Sequence, residues 1–378
     1  MRFVVTTPVV QLTDDSLATT MSSILLGSLR AVRANALAAA DALGINKRLG
    51  ASQWRRGRLL ILCYHGVSID DEHEWSDLYV SPGHLERRLA LLRKSGATVL
   101  PLDEALRRLA VGDLPPSAVA LTFDDGAHDF SSKAMPILSA FDAHATLYLT
   151  TYYCGRNQPV FDTVASYLLW KARGRSITLP GVNGTVQIPG ATSEPEFADI
   201  HNQVRRYALE HEFDADEKNE FARTLAETVH QDFDAILERK LFQIMSPEEV
   251  TALDRRLISV QLHTHRHRTP RDDVAFEREI DDNRQAILSM RGEAPRLNHF
   301  CYPSGDYVKE YADWLRQQGV EWATTCDPGL ASDDSDPFFL PRFIDAEPIS
   351  EATFRAWVSG LSLFAFARRR TTPVRLAP

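Results

Sequence analysis

Two kinds of hydrophobic spacing alternate along the chain. Leu59–Tyr64, Val119–Phe123, Ala145–Leu149 and Ile258–Leu262 are short continuous apolar runs bounded by turn residues, the pattern of strands buried on both faces. Between them lie stretches with helical spacing. Ser81 caps a helix opening at Pro82, with Leu85, Leu89 and Leu92 on one stripe and Gly96 at its end. Helical Leu102–Val111, Ser131–Phe141, 274–291 and 307–318 follow, with further strands at 299–302 and 320–324. This alternation predicts an α/β architecture with a parallel sheet, open or closed into a barrel. In such folds ligands meet the loops at the carboxyl ends of the strands.

Two regions break the rhythm. Residues 17–48 are alanine-rich and free of proline, and read as the main part of a helical N-terminal extension, 1–57. Residues 155–250 read as an insertion in a catalytic domain spanning 58–360. It holds a helix over Phe161–Arg173, a segment of hairpin character over Ile177–Gly190, and long charged helices over Glu194–Glu212 and Asp216–Leu237. A tail follows from 361 to 378.

Composition narrows the function classes. The 378 residues carry a net charge of −9, so no global basic field recruits nucleic acid or anionic lipid. Arg55, Arg56 and Arg58, like Arg368, Arg369 and Arg370, read as solvated faces. No stretch approaches the roughly 20 apolar residues of a membrane span. The N-terminus lacks the layout of a secretory signal. The four cysteines are far apart, and Cys63 and Cys301 sit in apolar runs where a small thiol packs well. A reducing compartment, the cytoplasm, is the expectation.

The chemistry concentrates at strand ends. Thr122-Phe123-Asp124-Asp125-Gly126 sets two carboxylates side by side, which burial makes repulsive unless a cation compensates. In an extended chain they point in different directions, so one can bind a metal while the other faces a substrate. Alone, Asp-Asp-Gly is an ordinary turn. His263-Thr264-His265-Arg266-His267 ends another strand, and neutral imidazole suits zinc and other first-row divalent ions. His263 and His267 are spaced to meet at one ion; His265 reads as a third ligand, a group behind the ligands or a substrate contact. Tyr302-Pro303-Ser304-Gly305 is a tight turn whose main-chain N–H groups can stabilise an oxyanion. His65, ending the first strand, can donate a proton to a leaving amine, although a lone histidine there is more often structural.

These motifs resemble the polysaccharide deacetylases, the carbohydrate esterase group with the nodulation-factor deacetylase (NodB) homology domain. Tyr64-His65-Gly66-Val67 and Phe300-Cys301-Tyr302-Pro303-Ser304-Gly305 are closer to its circularly shifted branch of biofilm poly-N-acetylglucosamine deacetylases. The resemblance implies a distorted (β/α) barrel, one divalent metal ion and N-deacetylation of an N-acetylhexosamine. Asp124 is then similar to the general base, Asp125, His263 and His267 to the metal ligands, and His65 to the acid. Leu340-Pro341-Arg342-Phe343 resembles a late segment of that branch, with Arg342 orienting Asp124 and Asp345 partnering His65. Zinc is the default ion for such ligands; cobalt, nickel or iron fit them too. His263 lies 138 positions after Asp125, more than the family usually has. A nucleotide-, lipid- or glycoside-linked amino sugar therefore stands beside a polymer as substrate. Rival readings are a deformylase or other non-peptide amide hydrolase, and a non-catalytic, metal-dependent carbohydrate-binding protein.

Overall fold

The computed structural model describes residues 35–180, 184–292 and 296–365. Strands β1 (Arg58–Tyr64), β2 (Val119–Phe123), β3 (Ala145–Leu149), β4 (Ile258–Leu262), β5 (His299–Cys301) and β6 (Trp322–Thr324) lie in the order β6-β5-β4-β3-β2-β1, all parallel. Short β7 (Ala331–Ser332) runs antiparallel to the start of β1, and β8 (Phe343–Ile344) parallel to its end. The segment leading into β8 closes the curl. Leu340 bridges to Thr324 of β6 and its N–H donates to Ala323 O at 2.9 Å, while Asp345 N–H donates to Cys63 O on β1 at 3.2 Å. The architecture is a distorted (β/α) barrel.

Strand periodicity sorts the side chains. Leu60, Leu62, Val119, Leu121, Leu147 and Val260 face outward into a core shared with the helices. The alternate positions, including Ile61, Cys63, Thr122, Tyr148, Gln261 and Cys301, turn inward and are buried. That inward set is part polar, and at its upper end it delivers Asp124 and His263.

Helix Pro82–Ser95 forms as its sequence predicts. Ser81 accepts the His84 N–H, Pro82 fills the first position, and Gly96 ends it in the left-handed region at φ 73°. The helix also carries buried polar groups. Arg88 donates to Asp345 through Nε at 2.8 Å and Nη2 at 3.1 Å; His84 Nε2 lies 3.1 Å from the same carboxylate, and Tyr64 Oη donates at 3.0 Å. Asp345 thus ties the closing segment to helix Pro82–Ser95 rather than partnering His65. Neighbours along a strand project to opposite sides, so a carboxylate that meets the Tyr64 hydroxyl lies on the side away from His65.

Other expectations are revised. The helix expected over Asp216–Leu237 is two, Ala215–Thr228 and Phe233–Glu238: His230 turns left-handed at φ 60°, and Asp232 caps the second by accepting the Ala235 N–H at 3.0 Å. The helix at 307–318 begins only at Tyr311. The N-terminal helical stretch is interrupted at Gly44, φ 71°, and its residues before 35 lie outside the described residues, as do Arg368–Arg370. Arg55 is no solvated charge. It is fully buried, donating to Val358 O at 2.8 Å, to Ala118 O at 3.0 Å and to Arg58 O. It knots the segment before β1 to the strand bases and to helix Glu351–Ser359.

The insertion has its own apolar core, with Val164, Leu168, Val204, Leu225 and Phe233 buried together and Tyr79 joining them. A short antiparallel pair, Ser176–Ile177 with Val186–Gln187, gives the expected hairpin. Its exit is strapped to the Asp-Asp-Gly turn: Met245 N–H donates to Gly126 O at 3.0 Å and His128 N–H to Gln243 O at 2.8 Å. No helix among the described residues is long and apolar enough to cross a membrane.

Asp345→Ala strands the buried Arg88 charge and is expected to cost about 3–5 kcal/mol of unfolding free energy. Urea denaturation measures it; a loss below about 1 kcal/mol, the range of an exposed ion pair, contradicts the ascribed role.

Candidate active site

The two adjacent carboxylates are separated by backbone conformation. Asp124 ends β2 with its N–H on Tyr64 O at 2.9 Å. Asp125 turns left-handed, φ 69°, and sends its side chain elsewhere. Gly126, φ 80°, lies in the left-handed region that favours glycine, and a Cβ there would sit 2.2 Å from Leu149 Cδ1, so that the leucine would have to shift. Non-glycine residues also occupy the left-handed region in the other two motif turns: Thr264 at 59°, His267 at 54° and Ser304 at 56°. Such conformations cost of order 1–3 kcal/mol each and persist where the surroundings enforce them.

Asp124 is 3% exposed and gripped by Arg342, itself wholly buried. Arg342 Nη1 donates to Oδ1 and Nη2 to Oδ2, both at 2.7 Å. The guanidinium also donates through Nε to Thr325 O at 2.8 Å and through Nη1 to Thr122 Oγ1 at 3.1 Å. Burial pushes the Asp124 carboxyl upward, but the Arg342 charge and hydrogen bonds outweigh it and hold the group well below the ordinary carboxylate range.

Asp125 Oδ1 lies 3.2 Å from His263 Nε2 and 3.1 Å from His267 Nε2. The three donor atoms lie within 4.8 Å of one another. His263 Nδ1 is 2.8 Å from Cys301 O, an acceptor, so this nitrogen carries the proton and leaves Nε2 with its lone pair. A carboxylate oxygen and imidazole nitrogens so oriented fit one divalent ion. Burial favours a neutral Asp125 carboxyl, yet His267 and His263 draw it well below its usual value.

His265 lies outside this triad. Its Nδ1 is 2.8 Å from Thr151 Oγ1, which accepts from Asn283 Nδ2 at 2.9 Å, and Asn283 Oδ1 accepts the His263 N–H at 3.0 Å. It braces the turn carrying the other two histidines. Asn283, fully buried on helix Asp273–Arg291, escaped the sequence reading; its signal is an amide on a helix's apolar stripe.

His65 Nε2 is 3.7 Å from Asp124 Oδ2, and its Nδ1 is buried with no hydrogen-bond partner among the described residues. Burial lowers the imidazole's proton affinity, against the pull of Asp124 and Asp125. In the turn at 302–305, Tyr302 N–H is engaged by Thr324 O at 3.3 Å and its hydroxyl by Phe338 O at 3.0 Å. Pro303 has no N–H, and Gly305 N–H donates to Tyr302 O at 3.0 Å. Ser304 carries the turn's remaining main-chain donor.

All four cysteines are free, but Cys63 and Cys301 do more than fill space. Their sulfurs lie 3.6 and 3.4 Å from Asp124 Oδ2.

A family model described as polysaccharide deacetylase matches residues 112–180 and 202–323. In structure the chain is similar to the Streptococcus pyogenes deacetylase PplD, solved in complex with acetate. The TM-score is 0.51 at 18% identity, over 78% of this chain and 96% of that one. It is similar also to IcaB from Ammonifex degensii, TM-score 0.50 at 18% identity, over 80% of this chain and 97% of that one. At such identity the likeness concerns the fold. No curated protein matches in sequence.

The Asp124–Arg342 pair predicts a pH signature. A carboxyl depressed in the folded state contributes stability that is full above its unfolded value, about 3.9, and is lost as pH falls through the folded value. Arg342→Gln is expected to cost about 3–5 kcal/mol near neutrality and to move acid unfolding to higher pH. Denaturation followed against pH tests this; an unmoved acid limb contradicts it.

Proposed function

The chain belongs to the polysaccharide deacetylase family, hydrolases of carbon–nitrogen bonds outside peptides, and from that premise we propose that it removes acetyl from an N-acetylhexosamine carried on a polysaccharide, glycolipid or other glycoconjugate. One observation carries this reading. Asp124 is clamped by Arg342 at 2.7 Å while its neighbour Asp125 converges with His263 and His267, and His65 stands 3.7 Å from Asp124. The proposed base, ligand set and acid thus lie together at neighbouring strand ends.

Asp125, His263 and His267 are the proposed ligands of one divalent ion, zinc by donor type, with cobalt, nickel or iron suited to the same set. Such an ion supplies Lewis acidity, polarising the acetyl carbonyl and acidifying the attacking water. Asp124, kept ionised by Arg342, takes that water's proton as its oxygen adds to the carbonyl carbon. The Ser304 N–H is the proposed main-chain donor to the developing oxyanion. His65 delivers a proton to the nitrogen as the carbon–nitrogen bond breaks, leaving acetate and a free amino sugar.

Asp124→Asn preserves shape but not basicity, so acetate release is expected to fall by roughly 10²–10⁴-fold with metal content unchanged. Asp125→Ala and His263→Ala are expected to lose the metal after dialysis, read by atomic emission. Near-normal turnover in Asp124→Asn contradicts the assignment. Acetate release compared across free, nucleotide-linked, lipid-linked and polymeric N-acetylhexosamines identifies the carrier; release from none of them contradicts the deacetylase reading.

A further inference from the structure

We propose that Cys63 and Cys301 are positioning residues for Asp124: their S–H groups donate to Oδ2 and, with Arg342, hold the carboxylate in the orientation in which it takes the proton from water. The proposal rests on Asp124 acting as the base.

Strand geometry makes the meeting unavoidable. Cys63 on β1 and Cys301 on β5 lie on the inward faces, on opposite flanks of the ion pair, and both are 0% exposed. Each thiol has one side-chain acceptor in reach, Asp124 Oδ2, at 3.6 and 3.4 Å, ordinary for a sulfur donor. Among the described residues, the other acceptors near them are main-chain carbonyls at 3.9 and 3.8 Å, each that of the next residue. Burial pushes both thiols up, so each keeps the proton it donates. Arg342 Nη2 donates to Cys301 Sγ at 3.1 Å as well as to Oδ2, so guanidinium, thiol and carboxylate form a closed ring of donors and acceptors.

The two oxygens of Asp124 are therefore unlike. Oδ2 faces Arg342 Nη2, two thiols and, at 3.7 Å, His65 Nε2; Oδ1, among the described residues, receives Arg342 Nη1. Cys63, His65 and Asp124 also have the spacing of metal ligands. Arg342 fits hydrogen bonding better, because a second cation would sit against a guanidinium already 2.7 Å from the same oxygen.

The S–H stretching bands of the metal-loaded protein test this without any substrate. Cys63→Ser and Cys301→Ser identify the two bands, and Cys154, which faces Thr150 O at 3.7 Å, supplies an internal reference. Asp124→Asn is expected to raise both frequencies and leave the Cys154 band in place. Bands that ignore Asp124→Asn overturn the proposal, since packing alone would not couple them to that side chain. In turnover, the double alanine variant is expected to lose roughly ten-fold in kcat at unchanged KM, and the double serine variant to recover most of it. Serine no better than alanine also overturns it. If no amino sugar yields acetate, the deacetylase reading fails on its own, and the infrared result still decides the thiol bonds.

Discussion

Two carboxylates adjacent in sequence at the buried end of one strand cannot both stay charged without separate compensation. Here each has its own. Arg342 neutralises Asp124 through a two-pronged bond, and the histidine turn faces Asp125. The left-handed conformation of Asp125 keeps the two apart. Remove the arginine and Asp124 is driven toward its neutral form; remove the turn and both side chains crowd one face. The proposed roles of base and ligand follow from this separation rather than from either residue's chemistry alone.

Arg342 reaches Asp124 only because the barrel closes. It lies in the stretch that leaves β6 at the Thr324–Leu340 bridge and joins β1 through β8. Asp345, three residues on, pins that stretch to Arg88 and His84 of the first barrel helix. Arg55 gives comparable bracing at the opposite end of β1. Three buried charged groups thus hold the closing segment and the base of the first strand. Fold stability and site geometry are tied together by the same few residues.

Much of this was legible in the sequence because it depends on short-range pattern. Continuous apolar runs marked β1 to β4, and the polar motifs ended those runs, so strand-end placement of Asp124, Asp125 and His263 followed directly. What escaped depends on direction in space. Asp345 was read as a partner of His65, yet it binds the neighbouring Tyr64, because alternation along a strand sends adjacent side chains opposite ways. Cys63 and Cys301 read as packing because nothing in one dimension shows which face they share with Asp124. The break at His230 was hidden inside a helical composition, where a single left-handed residue leaves little trace. Arg55 reads as solvated because two of its acceptors, the carbonyls of Ala118 and Val358, are distant in sequence.

The central claim is that Arg342 and the thiols reserve Asp124 for proton transfer, leaving a cation to Asp125, His263 and His267. X-ray absorption on zinc-loaded protein examines this directly, since sulfur and nitrogen or oxygen ligands differ in bond length by about 0.2–0.3 Å. A shell of oxygen and nitrogen alone, with scattering from two imidazoles, is expected. A zinc–sulfur distance, placing the ion among Cys63 or Cys301 and Asp124, would contradict it.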